Sequence, residues 1–173
     1  MFKQFNSLVN HIYKDTTVST VHALSTCFLV WNETPFIALL FSGLYFVIDL
    51  LGCVLNKDYI FGLHAVIALF LISNCFTNEV YIEIKAYKIL YTELSTPLLN
   101  LWKVNKKKSH FVYFSIVFFF CRIVYIPYVI YDSILDIYTV EMGVLAGLYI
   151  LNLIWFIKIL DIFKHYKSNL EKE

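Results

Sequence analysis

Residues 36–55 read FIALLFSGLYFVIDLLGCVL, twenty residues of which only Asp49 is ionised at neutral pH. The hydrocarbon core of a bilayer asks for about 20 consecutive, mostly apolar residues in a helix. A helix on the surface of a soluble protein keeps one polar face, and this stretch has none wide enough. It therefore predicts a membrane span. Asn32-Glu33-Thr34-Pro35 precedes it and Asn56-Lys57-Asp58 follows it, both of them chain breaks.

Outward from this stretch the pattern repeats. Toward the N-terminus lies Thr17 to Trp31, shorter and sprinkled with Ser19, Thr20, His22, Ser25 and Thr26. Toward the C-terminus come Ile60 to Phe76, Val80 to Trp102, His110 to Tyr131 and Met142 to Phe163, separated by short polar breaks. The chain as a whole is 60% hydrophobic with a mean hydropathy of +0.68, against about 45–50% apolar residues in soluble domains. A water-soluble fold of 173 residues could not hide that much apolar surface. The expectation is an all-α, polytopic transmembrane helical bundle of about six spans. Residues 1–16 form a cytosolic N-terminal segment, with Phe2, Phe5, Val9, Ile12 and Tyr13 at the spacing of an interfacial helix. Residues 17–165 form the membrane domain and 166–173 a cytosolic tail.

Charge placement supports the count. With six spans, one side of the membrane collects Lys3, Lys14, Lys57, Lys103, Lys106, Lys107, Lys108, Lys164, Lys167 and Lys172. The other collects Glu33, Glu79, Asp132, Asp136 and Glu141, without Lys or Arg. Cytoplasmic loops are the ones enriched in basic residues, which puts both termini in the cytosol. The net charge is only +1, so nucleic acid is not an expected partner. Cys27, Cys53, Cys75 and Cys121 sit singly in apolar surroundings, and no His or Cys pair has metal-ligand spacing. Neither a metal nor a cofactor is expected.

Polar groups inside spans are expensive, and they usually face the bundle interior and mark function. His22, Asp49, His64, Glu93 and Arg122 are the candidates, one from each of five stretches. Ser42, Tyr45, Asp49 and Cys53 share one helical stripe. In the fourth stretch a helical wheel gathers Lys85, Lys88, Thr92, Ser95 and Thr96 on one face, with Glu93 and Asn100 beside them. Pro97 would break this helix and free the carbonyl of Glu93. Each candidate also has a plain structural reading. Asp49 or Glu93 pairs with Arg122, the only arginine, as internal glue; His22 hydrogen-bonds locally; His64 is a satisfied core residue. Gly143 and Gly147 form a G-x-x-x-G that serves either internal packing or self-association. Lys158, near the end of the last span, is placed to snorkel.

These residues, in this order, resemble the TLC-domain family. Ser19-Thr20-Val21-His22-Ala23, Tyr45-Phe46-Val47-Ile48-Asp49-Leu50-Leu51 and Leu63-His64 are similar to its histidine, aspartate and His-His segments. Glu93-Leu94-Ser95-Thr96-Pro97-Leu98-Leu99-Asn100-Leu101 resembles its E-x-S-T-P-x-x-N segment, and Phe118 to Arg122 with Pro127 resembles the helix after it. Ala65 stands where the second His of the pair would be, Trp102 where an Arg often follows, and no His-Asp pair lies near Glu93. The small TLC-domain branch is the most similar. The resemblance implies a helical bundle of the endoplasmic reticulum or another endomembrane, with membrane lipids as partners and a role in lipid binding, sensing or homeostasis. On that footing His22, Asp49, His64, Glu93, Asn100 and Arg122 are candidate lipid-binding residues. The alternatives are a lipid acyltransferase related to ceramide synthases, which would use acyl-CoA with His64, Asp49 and Glu93 as candidate catalytic groups, and a protein-trafficking factor.

Overall fold

The structure, a computed structural model, describes residues 2–77, 86–132 and 139–170, and among these every regular element is helical. In order they are α1 (Phe2–Lys14), α2 (Thr16–Trp31), α3 (Pro35–Asn56), α4 (Tyr59–Thr77), a 3-10 helix (Ala86–Ser95), α5 (Thr96–Asn105), α6 (Lys108–Phe118), a π-helix (Phe119–Val124), α7 (Tyr125–Asp132) and α8 (Thr139–Leu170). The expected break at Asn78-Glu79, residues 80–85 of the fourth stretch, Asp136 and residues 171–173 of the tail lie outside the described residues.

Four helices are long and apolar enough to cross a membrane: Pro35–Asn56, Tyr59–Phe76, the continuous run Lys108–Asp132 and Met142–Lys164. The two remaining stretches of the expected six do not meet that standard, each for its own reason. At 1.5 Å per residue, the 16 residues of α2 reach about 24 Å, short of a core of about 30 Å. Residues 86–105 are a 3-10 helix passing into an α-helix. They would span about 35 Å at 2.0 and 1.5 Å per residue, but carry Lys88, Glu93, Pro97 and Lys103. The outer surface is apolar nearly all round, with Phe28, Leu44, Val54, Ile116, Phe120, Tyr128 and Ile157 among its exposed side chains. Water would not tolerate so large an apolar envelope, whereas lipid covers it at no cost.

Local sequence explains the breaks. Pro35 opens α3, where its missing N–H is not needed. Lys57 closes α3 in the left-handed conformation, and Tyr59 starts α4 two residues later, so α3 and α4 form a tight hairpin. Pro97 lies in the first turn of α5, and the switch from 3-10 to α geometry falls at Ser95–Thr96, directly before the expected break at Pro97. A proline at that position starts a helix more readily than it continues one.

The bundle is a ring. α3 packs on α2 and α4, α4 on α8, α8 on the π-helix, α6 on α5, and α5 back on α2. Two apolar clusters close it. One joins Val30, Leu39, Phe46, Ala65 and Ile72. The other stacks Phe111, Phe114 and Phe118 against Ile159 and Phe163. α1 lies outside the ring along the end of α3. Val9 is buried there, and the Tyr13 ring sits so close to Gly52 that a Cβ at that position would collide with it. Asn56 Nδ2 donates to Asn10 Oδ1 at 2.8 Å, and the Tyr13 hydroxyl donates to Asp58 at 3.1 Å. Burial holds the Tyr13 pKa far above its ordinary value, so the hydroxyl stays a donor. The expected N-terminal helix therefore exists, and it is bound to the bundle.

Gly143 and Gly147 leave open space: a Cβ at either would touch nothing within 4 Å. The spacing is not used for internal helix packing among the described residues. All four cysteines are free thiols.

Candidate functional site

The ring encloses a cavity of about 520 Å³. Its two sides differ in chemistry. α2, α3 and α5 contribute Ser19, Tyr45, Asp49, Thr96 and Asn100, a largely polar wall interrupted by Phe46, Leu99 and Trp102. α4, α6 and α8 contribute Phe61, Phe111, Phe114, Phe118, Trp155 and Ile159, an aromatic and aliphatic wall. Lys14, Lys103 and Lys158, all exposed, mark the mouth together with Asp15 and Asp58. The inner end holds Glu93, Ser95, His64 and Arg122.

Arg122 organises the floor. Its Nη2 donates to Glu93 Oε1 at 3.3 Å, its Nε to Ser95 Oγ at 3.0 Å and its Nη1 to Asn152 Oδ1 at 3.2 Å. Its guanidinium carbon lies 5.6 Å from the centre of the Phe118 ring. Glu93 Oε2 accepts from Thr96 Oγ1 at 2.8 Å. Ser95 donates onward to the Thr92 carbonyl and Asn152 to the Leu148 carbonyl. Arg122 and Glu93 are each about 6% exposed, and Asn152 is fully enclosed. A buried ion pair persists only when its polar atoms are otherwise met, and here each polar side-chain atom of the two residues has a partner.

Backbone geometry delivers these groups. In a 3-10 helix, residues three apart stack over one another. Leu90 with Glu93, and Thr92 with Ser95, are two such pairs, and all four side chains are buried. Arg122 sits in the π-helix, an irregularity often found at functional positions.

The structure settles the pairing that the sequence left open: the partner of Arg122 is Glu93, not Asp49. Of the six candidate residues, Asp49, His64, Glu93, Asn100 and Arg122 line the cavity. His22 does not. Its ring stacks on Tyr45 with centroids 3.8 Å apart, and its Nε2 shares a hydrogen bond with Ser42 Oγ at 3.3 Å, so it backs the polar wall from behind. Asn100 ties α5 to α2, donating to the Thr16 carbonyl and to Thr20 Oγ1. His64 is held between the edges of Phe46 and Trp155, and its Nδ1 is buried without a hydrogen-bond partner. No hydrogen bond joins His64 to Asp49 or Glu93. Lys158 reaches the cavity mouth rather than simply snorkelling.

Asn152 and Ser95 had not been singled out as partners of Arg122. Ser95 stood on a polar face and within the E-x-S-T-P-x-x-N segment, without an assigned partner. Asn152 is a lone amide in the run Leu148 to Ile157, and its isolation in an apolar span was the signal available. Among known proteins, the family profile described as TLC domain matches residues 8–161. No curated protein and no solved structure gives a significant match.

Proposed function

The chain belongs to the TLC-domain family, and on that premise we propose that it is a multi-pass endomembrane protein that binds membrane lipid within its bundle and so senses or regulates lipid composition. The observation that carries this reading is the two-walled cavity. Its polar and aromatic sides match the two parts of an amphiphile, and sites for small ligands are concave with few, placed polar groups. Its 520 Å³ lies within the range of small-ligand sites, about 300–1,000 Å³. A lysine-marked mouth is also where a cytosolic membrane face would lie, which supports a topology with both termini cytosolic.

The acyltransferase reading is weaker. A histidine base needs to be oriented toward its proton donor. Glu93 is committed to Arg122 and Thr96, and Asp49 makes no hydrogen bond to His64. A trafficking role would leave the cavity unexplained.

The test is to narrow the cavity without touching its charges. Leu99→Trp, on the lining, should leave the protein folded in detergent, abolish lipid retained in native mass spectrometry, and shift the lipid profile of cells toward that of cells lacking the protein. A folded Leu99→Trp protein that keeps its lipid and leaves the profile unchanged would falsify the lipid-binding reading. Tags at residues 1 and 173 test the topology in sealed microsomes: both should be open to added protease.

A further inference from the structure

Opposite charges surround the mouth of the cavity and, among the described residues, make no contact ion pair there, although Lys103 and Asp49 attract one another across the opening. Lys14 comes from the end of α1, Lys103 from α5 and Lys158 from α8, while Asp49 comes from α3. Among the described residues the recorded ion pair is Glu93 with Arg122 at the floor, so none of the three lysines reaches a carboxylate within 4.0 Å. The other two acids at the mouth already have partners in the chain. Asp15 accepts from the Thr17 N–H at 2.7 Å, and Asp58 accepts from the Tyr13 hydroxyl. Lys106, just past the end of α5, lies over the Trp102 ring, 5.1 Å from its centre. Asp49 alone accepts no hydrogen bond, although it sits half-buried on a span that is otherwise apolar. A carboxylate there is costly unless something pairs with it.

The geometry points to a zwitterionic head group as the missing partner. Charges of both signs, held apart across a single opening, are bridged by one ligand that carries both signs. Its anionic part would meet Lys103 and Lys158 and its cationic part Asp49, with one chain entering the aromatic side. We infer that the mouth is a head-group site for a single-chain zwitterionic phospholipid. This rests on the lipid-binding reading above and adds the head-group class to it.

The experiment compares four amphiphiles of equal chain length on the full chain in detergent, by native mass spectrometry. They are lysophosphatidylcholine (both charges), lysophosphatidic acid (anion), an alkyltrimethylammonium (cation) and a monoacylglycerol (neutral). The zwitterion should be retained about tenfold better than the anion or the cation alone, the factor expected from one added charge-assisted contact, and better still than the neutral lipid, which lacks both contacts. Asp49→Asn should remove its advantage over lysophosphatidic acid, and Lys103→Gln with Lys158→Gln its advantage over the alkyltrimethylammonium. Equal retention of all four would overturn the head-group site and leave chain binding standing. Retention of none would overturn lipid binding itself. Soluble phosphocholine displacing the lysolipid at equal concentration would show a small-solute site and overturn the lipid assignment. Should Asp49→Asn fail to fold, the four-way comparison on the unaltered protein decides alone.

Discussion

At the floor of the cavity Arg122 commits three N–H groups to Glu93, Ser95 and Asn152. At the mouth, Lys14, Lys103, Lys158 and Asp49 surround the opening without a contact ion pair among the described residues. Both places hold charges of both signs; the surroundings differ. The floor is enclosed by Phe118 and the 3-10 helix, and an unpaired charge there would face a low dielectric. The mouth is open, so water or a head group can serve. A charge met wholly by its own chain maintains the fold, and a charge left unmet at an opening is free to bind.

The largest expected effect breaks the floor. Arg122→Leu strands Glu93 and should cost about 3–5 kcal/mol, read as thermal stability in detergent. Glu93→Gln in that background should recover part of it, because a neutral amide is cheaper to bury. Asp49→Asn should recover nothing, since Asp49 is not the partner. Full rescue by Asp49→Asn would move the pairing to the mouth and dissolve the contrast.

Asn152→Ala removes one acceptor and leaves the ion pair. The cost should be about 1–3 kcal/mol, that of one unsatisfied buried donor. Gly52→Val tests the α1 contact near the mouth. The new side chain meets the Tyr13 ring, and overpacking of this sort costs about 1–3 kcal/mol. The loss should show first as faster hydrogen exchange in α1, with the floor unchanged. Mouth substitutions sharpen the comparison from the other side. Lys103→Gln should move stability by no more than about 0.5 kcal/mol, the range of surface changes.

The smallest effect is pH-dependent. The Thr17 N–H holds the Asp15 carboxyl below its ordinary pKa. A depressed carboxylate stabilises the fold above the unfolded pKa, near 3.9, and the benefit is lost as pH falls through the lower folded value. The difference in melting temperature between wild type and Asp15→Ala should therefore stay constant from about pH 5 to 8 and shrink progressively as pH falls below about 3.9.

How much of this was legible depends on what each segment's pattern encodes. α3, α4 and α8 follow from uninterrupted apolar runs, because twenty apolar residues have few alternatives to a span. The grouping of Lys14, Lys103 and Lys158 with one end of the bundle was likewise visible in the alternation of loops, although Lys158 had been placed inside a span. The 3-10 helix was not legible. A wheel drawn at 3.6 residues per turn put Glu93 beside the polar face, whereas three-residue stacking sets it over Leu90. Sequence reading left Asp49 and Glu93 equal as partners of Arg122, because choosing between acids 73 and 29 residues away from it on different helices requires the packing of the ring. Asn152 was missed for a simpler reason: a single amide gives no periodicity.

The π-helix has a consequence for how the chain tolerates change in length. Phe118, Arg122 and Ile126, spaced by four and four, all face inward. Over those eight residues a regular α-helix would drift by about 80°, at 3.6 residues per turn. The wider turn of Phe119–Val124 takes up part of that drift and keeps the two halves of the span in phase. It is thus a phase buffer, a place where residue count and helical rotation are uncoupled. Deleting outward-facing Val124 there would tighten the turn and leave α7 aimed much as before. The same deletion within α3 would swing everything beyond it by about 100°.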